Sequence, residues 1–226
     1  MEAAQRFILR ATYIERGRLS MLSHLEVART IERTIRRAGL PYAVSQGFSP
    51  HMKVAFGAAL PVGVGSVCEI FDVQLTDYVA PEKALEALRA SCPPDLMVQS
   101  CAYIRPGEKA ASVAFPISTY EAVLSRPVAC IEVPESISVV RKRKEKVLVV
   151  ADFLVSGFFP VGEGGPGSAC PQKSDRWEFS LEAKPSGSLR PDALLRACLD
   201  RMNEGASPDE DPLRIVSVTR IGQRSA

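Results

Sequence analysis

The order of strand and helix signals along the first hundred residues is the feature that most constrains this fold. Alternating apolar residues of β-branched or aromatic type indicate strands, and apolar residues three or four positions apart indicate helices. In chain order the segments are strand 5–14, helix 23–38, strand 52–56, strand 66–75, helix 81–91 and strand 96–104. This β-α-β-β-α-β order is typical of ferredoxin-like domains, in which two helices cover one face of an antiparallel sheet.

The second half of the chain repeats this order with one helix missing. Its segments are strands 118–125, 137–143, 146–154 and 176–184, helix 191–202 and strand 213–221. Pro127 and Pro134 make the segment between the first two strands a poor helix former. The sequence therefore predicts an α+β protein with tandem ferredoxin-like domains, the second one degenerate. The boundaries are 1–104, a linker at 105–117, and 118–226 with a mobile Gly/Pro/Ser-rich insert at 157–175.

Helix 23–38 carries the densest group of arginines. Ser23 and Glu26 have the spacing of a capping box at its start, and Gly39 is suited to end it. The apolar residues share one face, and the opposite face carries four candidate nucleic-acid contacts, Arg29, Arg33, Arg36 and Arg37. A solvated helix face, partly paired with Glu26 and Glu32, is the alternative interpretation.

Both histidines of the chain, His24 and His51, lie in or just after this helix. A loop from Gln46 to His51 follows it, so that imidazole, amide, hydroxyl and amine groups can converge there. Imidazoles suit general acid–base chemistry, which makes His24 and His51 the candidate catalytic residues. Structural hydrogen bonding is the favoured alternative for both. Gln46, Ser49 and Lys53 are candidate contacts to nucleic acid.

The aromatic residues near this loop have two possible roles. Tyr42, Phe48 and Phe56 can stack on bases, although core positions are favoured because they flank strands.

Glu69 and Asp72 lie in strand 66–75 without a further carboxylate at metal-binding spacing. Keeping an edge strand soluble is the favoured role for this pair.

A second basic group lies at the tip of a predicted hairpin and consists of Arg141, Lys142, Arg143 and Lys144. Such a run is usually a solvated tip. A projecting basic hairpin also grips nucleic-acid backbones without reading their sequence. The sequence leaves these alternatives open.

Composition excludes several classes of protein. The net charge is +2, so no strongly basic field surrounds the whole chain, and the six cysteines lack the close spacing of zinc or iron–sulfur sites. No secretory segment and no apolar run of transmembrane length is present, so no membrane association is expected. We expect a cytoplasmic protein with reduced thiols, no metal site and no cofactor.

The first hundred residues resemble a known family. The matching motifs are SHL at 23–25, ER at 32–33, RRAGLP at 36–41, SQGF at 45–48, PH at 50–51, LP at 60–61 and FD at 71–72, together with Arg29, Lys53, Gly63, Ser66 and Glu69. They resemble the uncharacterised radical SAM-linked family, whose members occur beside or fused to B12-binding-type radical SAM proteins. The resemblance implies a radical SAM protein as partner. This chain lacks the CxxxCxxC motif and is not itself that enzyme.

Three functions remain open at this stage. The first is a non-catalytic RNA-binding accessory module that works with a radical SAM enzyme in RNA modification or processing. The second is a metal-independent endoribonuclease that uses His24 and His51. The third is a protein–protein adaptor for the radical SAM partner.

Overall fold

A computed structural model describes residues 7–105, 107–141, 144–161, 173–185, 187–205 and 210–225 of the chain. The chain divides into two compact units, Met1–Phe115 and Pro116–Ala226, here called unit 1 and unit 2. Each unit combines helices with a sheet whose described strands pair antiparallel. The α+β class predicted from the sequence is confirmed.

Unit 1 contains the elements predicted for the first hundred residues. They are β1 (Phe7–Glu15), α1 (His24–Arg37), β2 (Val54–Phe56), β3 (Gly65–Leu75), α2 (Pro81–Ser91), β4 (Val98–Tyr103) and the short helix α3 (Ala111–Ala114). The strands lie in the order β4-β1-β3-β2. Strand β3 is therefore an interior strand, flanked on its two sides by β1 and β2.

The helices of unit 1 pack their apolar stripes against this sheet. The buried cluster draws Val27, Ile31 and Ile35 from α1 and Ala84 and Leu88 from α2. Burying an aliphatic side chain of this size stabilises the fold by about 1.5–3 kcal/mol. Gly39 follows α1 with φ +65, a left-handed conformation that glycine adopts without strain, so the predicted helix end is confirmed. None of the helices in the described ranges combines the length and apolar character needed to cross a bilayer.

Unit 2 contains one long helix and six strands within its described part. They are β5 (Ile117–Val128), β6 (Ser136–Arg141), β7 (Lys144–Val149), β8 (Leu154–Pro160), β9 (Ser174–Glu182), α4 (Pro191–Glu204) and β10 (Ile215–Arg224). Four of the strands form a sheet in the order β10-β5-β9-β8. Strands β6 and β7 pair with each other as a separate hairpin.

The position of strand β8 shows that two of the predicted boundaries are wrong. The predicted strand 146–154 ends at Val149, and the predicted insert 157–175 begins inside β8 and ends inside β9. Gly157 and Pro160 favour a turn locally, but an edge strand accepts proline because its outward side needs no N–H donor. The mobility predicted for the insert concerns residues 162–172, which lie outside the described residues.

Candidate functional site

The first turn of α1 is held by the predicted capping interaction. The Ser23 backbone N–H and hydroxyl both donate to the Glu26 carboxylate, at 2.8 and 2.7 Å. These two hydrogen bonds, aided by the charge of Arg29, lower the pKa of Glu26. The Glu26 half of the capping box is confirmed, and it places His24 at the first helical position.

The opposite side of α1 carries a surface that we call the arginine face, formed by Arg29, Arg33, Arg36 and Arg37. All four side chains are exposed. Arg36 Nη2 lies 3.4 Å from Glu32 Oε2, which confirms one of the internal pairs expected from the sequence. In the part of the chain that the structure describes, Arg29, Arg33 and Arg37 form no salt bridge. Three guanidinium groups on one helix face are thus available to an anionic partner.

His24 points to the other side of the helix, against the sheet. Its ring meets the Phe56 ring edge to face, with ring centroids 5.4 Å apart. It lines a small cavity with Tyr13, Glu15 and Glu69, which leaves about 10 Å³ for the centre of a water molecule. That space is about the size that one water requires. No residue of the 46–51 loop lines this cavity.

Residues 45–51 form a closed loop that follows α1. Val44 and Met52 pair as an isolated bridge at its base. Above them the Ser45 N–H donates to the His51 carbonyl at 2.8 Å, and the His51 N–H donates to Ser45 Oγ at 2.9 Å. The predicted nucleic-acid contacts here are all exposed, namely Gln46, Ser49 and, beyond the base of the loop, Lys53. Both histidines are exposed, His51 on this loop and His24 beside Phe56 of β2.

The aromatic residues near the loop separate into two groups. Tyr42 and Phe56 pack against the buried cluster of unit 1, so the core interpretation is confirmed for them. It is wrong for Phe48, which is fully exposed on the 45–51 loop. The residues around it, 46–51, are exposed as well, so the ring has no apolar surface to pack on.

A charged cluster that the sequence did not reveal lies across β1 and β3, with Asp72 buried, Arg10 11% exposed and Glu108 43% exposed. Arg10 Nε lies 2.8 Å from Asp72 Oδ1, and Arg10 Nη1 lies 3.0 Å from Glu108 Oε1. Asp72 also accepts the Ala111 N–H at 2.7 Å. The hydrogen bond that the Arg10 guanidinium donates to Asp72 raises the pKa of Arg10. The edge-strand role assigned to Asp72 and Glu69 is wrong, because β3 is an interior strand and both carboxylates are buried.

The predicted basic hairpin exists as the β6–β7 pair. Backbone pairing places Arg141 opposite Lys144 at its tip. Lys142 and Arg143 lie outside the described residues, and the structure describes only the backbone of Arg141 and Lys144. Backbone gripping by this tip therefore stays a prediction.

The comparisons with known proteins bear on unit 1 and the start of unit 2. A family model with the description "Uncharacterized protein conserved in bacteria (DUF2344)" matches residues 9–153, more than half of the 226 residues. The chain belongs to this family. Among curated proteins, none matches the chain. The DUF2344 match spans α1 and the 45–51 loop and stops before β8, and its description carries no link to radical SAM proteins. That link stays a prediction from sequence resemblance.

Proposed function

We propose that this DUF2344 protein is a non-catalytic RNA-binding accessory module. One observation supports this proposal most strongly. The arginine face and the 45–51 loop with Phe48 are both exposed, and they lie on consecutive elements of the chain. Guanidinium groups bind phosphate oxygens through several hydrogen bonds at once. An exposed aromatic ring offers a platform for a base.

Single-stranded RNA fits these two elements better than a duplex does. Arg29 and Arg37 are eight residues apart, so they span about 12 Å along the helix axis, enough for several phosphate groups. Phe48 can stack only on a base that is not already stacked between its neighbouring bases, as occurs in loops and single strands. Gln46 and Ser49 lie beside Phe48 and can bond to the edge of such a base.

The surroundings of His24 favour the non-catalytic alternative over the endoribonuclease. The cavity that His24 lines has room for about one water, so a ribose and its phosphate do not fit inside it and could reach His24 only from its exposed side. His51 does not line that cavity. A general acid and a general base must both reach the scissile group, and the cavity beside His24 does not bring the two histidines together.

We also propose that each unit is ferredoxin-like. The strand orders β4-β1-β3-β2 and β10-β5-β9-β8 correspond position by position, and they support a repeated domain. In unit 2 the β6–β7 hairpin stands in the chain where unit 1 has its first helix. The partnership with a radical SAM enzyme and the cytoplasmic location rest on the sequence alone.

RNA binding is tested with a labelled single-stranded RNA of mixed sequence, by fluorescence anisotropy between about 50 and 200 mM salt. We expect binding that weakens steeply with salt. Replacing Arg29, Arg33 and Arg37 with Gln should reduce the slope of log K against log salt by about 2, since each lost contact to a single strand removes about 0.7. The matched control replaces three exposed arginines of unit 2, Arg196, Arg201 and Arg214, with Gln.

The outcomes separate the three candidate functions. No binding at low salt, or equal losses in both triple variants, refutes the proposal. Cleavage of the RNA in EDTA that His24→Ala abolishes establishes the endoribonuclease instead. Capture of a radical SAM protein that survives nuclease treatment, without RNA binding, establishes the adaptor.

A further inference from the structure

Unit 2 contains a groove between α4 and the first strand of the β6–β7 hairpin. It encloses about 570 Å³ and is lined on one side by residues 136–139 of β6 and on the other by one face of α4. Val139 and Ala193 mark one end of the groove, since both also line the cavity that adjoins it. Towards the other end, Arg201 Nε of α4 lies 3.5 Å from Glu132 Oε2, which precedes β6. The strand and the helix therefore run antiparallel along the two sides of the groove.

Strand β6 presents a regular backbone edge to this groove. Four consecutive residues of the strand line it, whereas a sheet face would present only alternate residues. The β6–β7 pairing has no register shift, and no proline lies within Ser136–Arg141. The Val150 N–H donates to the Glu135 carbonyl at 2.9 Å, so the alternation of an antiparallel ladder points the N–H and C=O groups of Ser136 and Ser138 away from β7. In the described residues β6 pairs with β7 alone, so these groups can bind an added strand.

The charge of the groove decides what kind of chain fits it. The two arginines that line it, Arg196 and Arg201, form salt bridges with carboxylates that lie outside it. Asp200 and Glu204 also line the groove, are exposed, and form no salt bridge in the part of the chain that the structure describes. Like charges four residues apart on a helix repel, and the negative end of the helix dipole disfavours them further. Both carboxylates therefore gain from a cationic partner.

The dimensions of the groove match those of an extended peptide. Ala193 and Glu204 bound its α4 side and are eleven residues apart, which is roughly 17 Å along the helix axis and the length of about five extended residues. Asp200 and Glu204 are about 6 Å apart along that axis. Alternate residues of a strand lie on one face about 6.6 Å apart. Basic side chains at alternate positions of a peptide therefore match the two carboxylates.

We propose that this groove binds an extended basic peptide segment of a partner protein. The segment adds to β6 as a third strand and places basic residues at alternate positions opposite Asp200 and Glu204. Backbone hydrogen bonds to β6 supply the attachment, and the carboxylates of α4 select the basic sequence. The inference is independent of RNA binding, because the arginine face and the 45–51 loop lie in unit 1.

A labelled peptide of sequence TRTRTVT tests the charge selection, by fluorescence anisotropy with the full chain. We expect saturable binding of this peptide and none of the charge-reversed TETETVT. Asp200→Asn combined with Glu204→Gln should raise the Kd roughly 2- to 30-fold, the loss of two exposed ion pairs. The matched control is Asp175→Asn with Glu178→Gln, two exposed acids of β9 that do not line the groove. No saturable binding up to about 1 mM, equal binding of both peptides, or equal losses in both double variants overturns the proposal.

A proline at the edge of β6 tests the added strand. Ser138→Pro removes the N–H that points into the groove and keeps the β6–β7 ladder, because a strand edge accepts proline on its outward side. We expect it to abolish peptide binding with an unchanged Tm, while Ser138→Ala retains the wild-type Kd. Wild-type affinity in Ser138→Pro overturns the proposal.

A modified peptide gives the same test on the wild-type protein, should Ser138→Pro lower the Tm. TRTRTVT with every backbone nitrogen methylated keeps its charges but has no N–H to donate to β6. We expect it not to bind. An affinity equal to that of the unmodified peptide refutes strand addition.

Discussion

Arg10 and Asp72 face each other across β1 and β3 and form a two-point ion pair inside the fold. The distances are 2.8 Å from Nε to Oδ1 and 2.9 Å from Nη2 to Oδ2. The guanidinium also donates to the Lys109 carbonyl at 2.8 Å and lies 5.3 Å from the centre of the Phe115 ring. The pair therefore ties the central strands of unit 1 to the segment that ends the unit.

Removing Asp72 should destabilise the protein far more than removing a surface acid. We expect Asp72→Ala to lower the free energy of unfolding by about 3–5 kcal/mol, because it leaves the largely buried Arg10 charge without its main partner. Glu32→Gln, which breaks the exposed pair with Arg36, should cost no more than about 0.5 kcal/mol. Urea unfolding followed by circular dichroism measures both. Equal losses would show that the Arg10 pair contributes no more than a surface pair.

Phe48 should contribute to RNA binding without contributing to stability. We expect Phe48→Ala to raise the Kd for single-stranded RNA by roughly 5- to 100-fold, the loss of one stacked base, with an unchanged Tm. Phe48→Trp should retain affinity because the ring platform remains. Val62→Ala, at another exposed apolar position of unit 1, is the control and should leave the Kd unchanged. A lower Tm for Phe48→Ala would instead indicate a structural role.

The capping interaction of α1 should make stability depend on acid pH. The folded-state pKa of Glu26 lies below its ordinary value of 4.5, so its contribution is present above that value and is lost as the pH falls through the lowered pKa. The Tm difference between wild type and Glu26→Gln should therefore shrink on acidification from about pH 6 to about pH 3.

The matched variant for the cap is Glu82→Gln. Glu82 lies in the first turn of α2, where the N-cap residue is Ala80 and makes no side-chain cap hydrogen bond. Its effect on the Tm should be smaller than that of Glu26→Gln at neutral pH. If both variants respond alike across the pH range, the Ser23–Glu26 contact is not the cause.

The cysteines should differ in their reactivity toward alkylating reagents. Burial raises the pKa of Cys101 to about 11 and that of Cys198 to about 12, so both are almost entirely thiols near pH 8. Cys130 is exposed. Mass spectrometry after brief iodoacetamide treatment should find Cys130 modified in the native protein, and Cys101 and Cys198 only after unfolding in urea. Early modification of Cys198 would show that α4 opens in the native protein.

The sequence predicted the elements of unit 1 well because their signals are local. The Ser23–Glu26 cap, the stop at Gly39 and the apolar stripe of α1 each involve residues within one or two turns of the helix. It failed at β8, where Gly157 and Pro160 favour a turn locally but the strand gains its hydrogen bonds from β9, across the sheet. Pairing with a distant strand such as β9 produces no sequence pattern within residues 154–160 that would predict it.

By itself the sequence determined the α+β class, the succession of helices and strands over the first hundred residues, and the exposed arginine stripe on α1. These follow from periodicity and capping, which act over a few residues. The tertiary structure alone decided that Asp72 is buried against Arg10, 62 positions away, that Phe48 is exposed, and that His24 packs on Phe56. These three features depend on which strands pair and in what register. The pairing and the register are set only when the whole sheet forms.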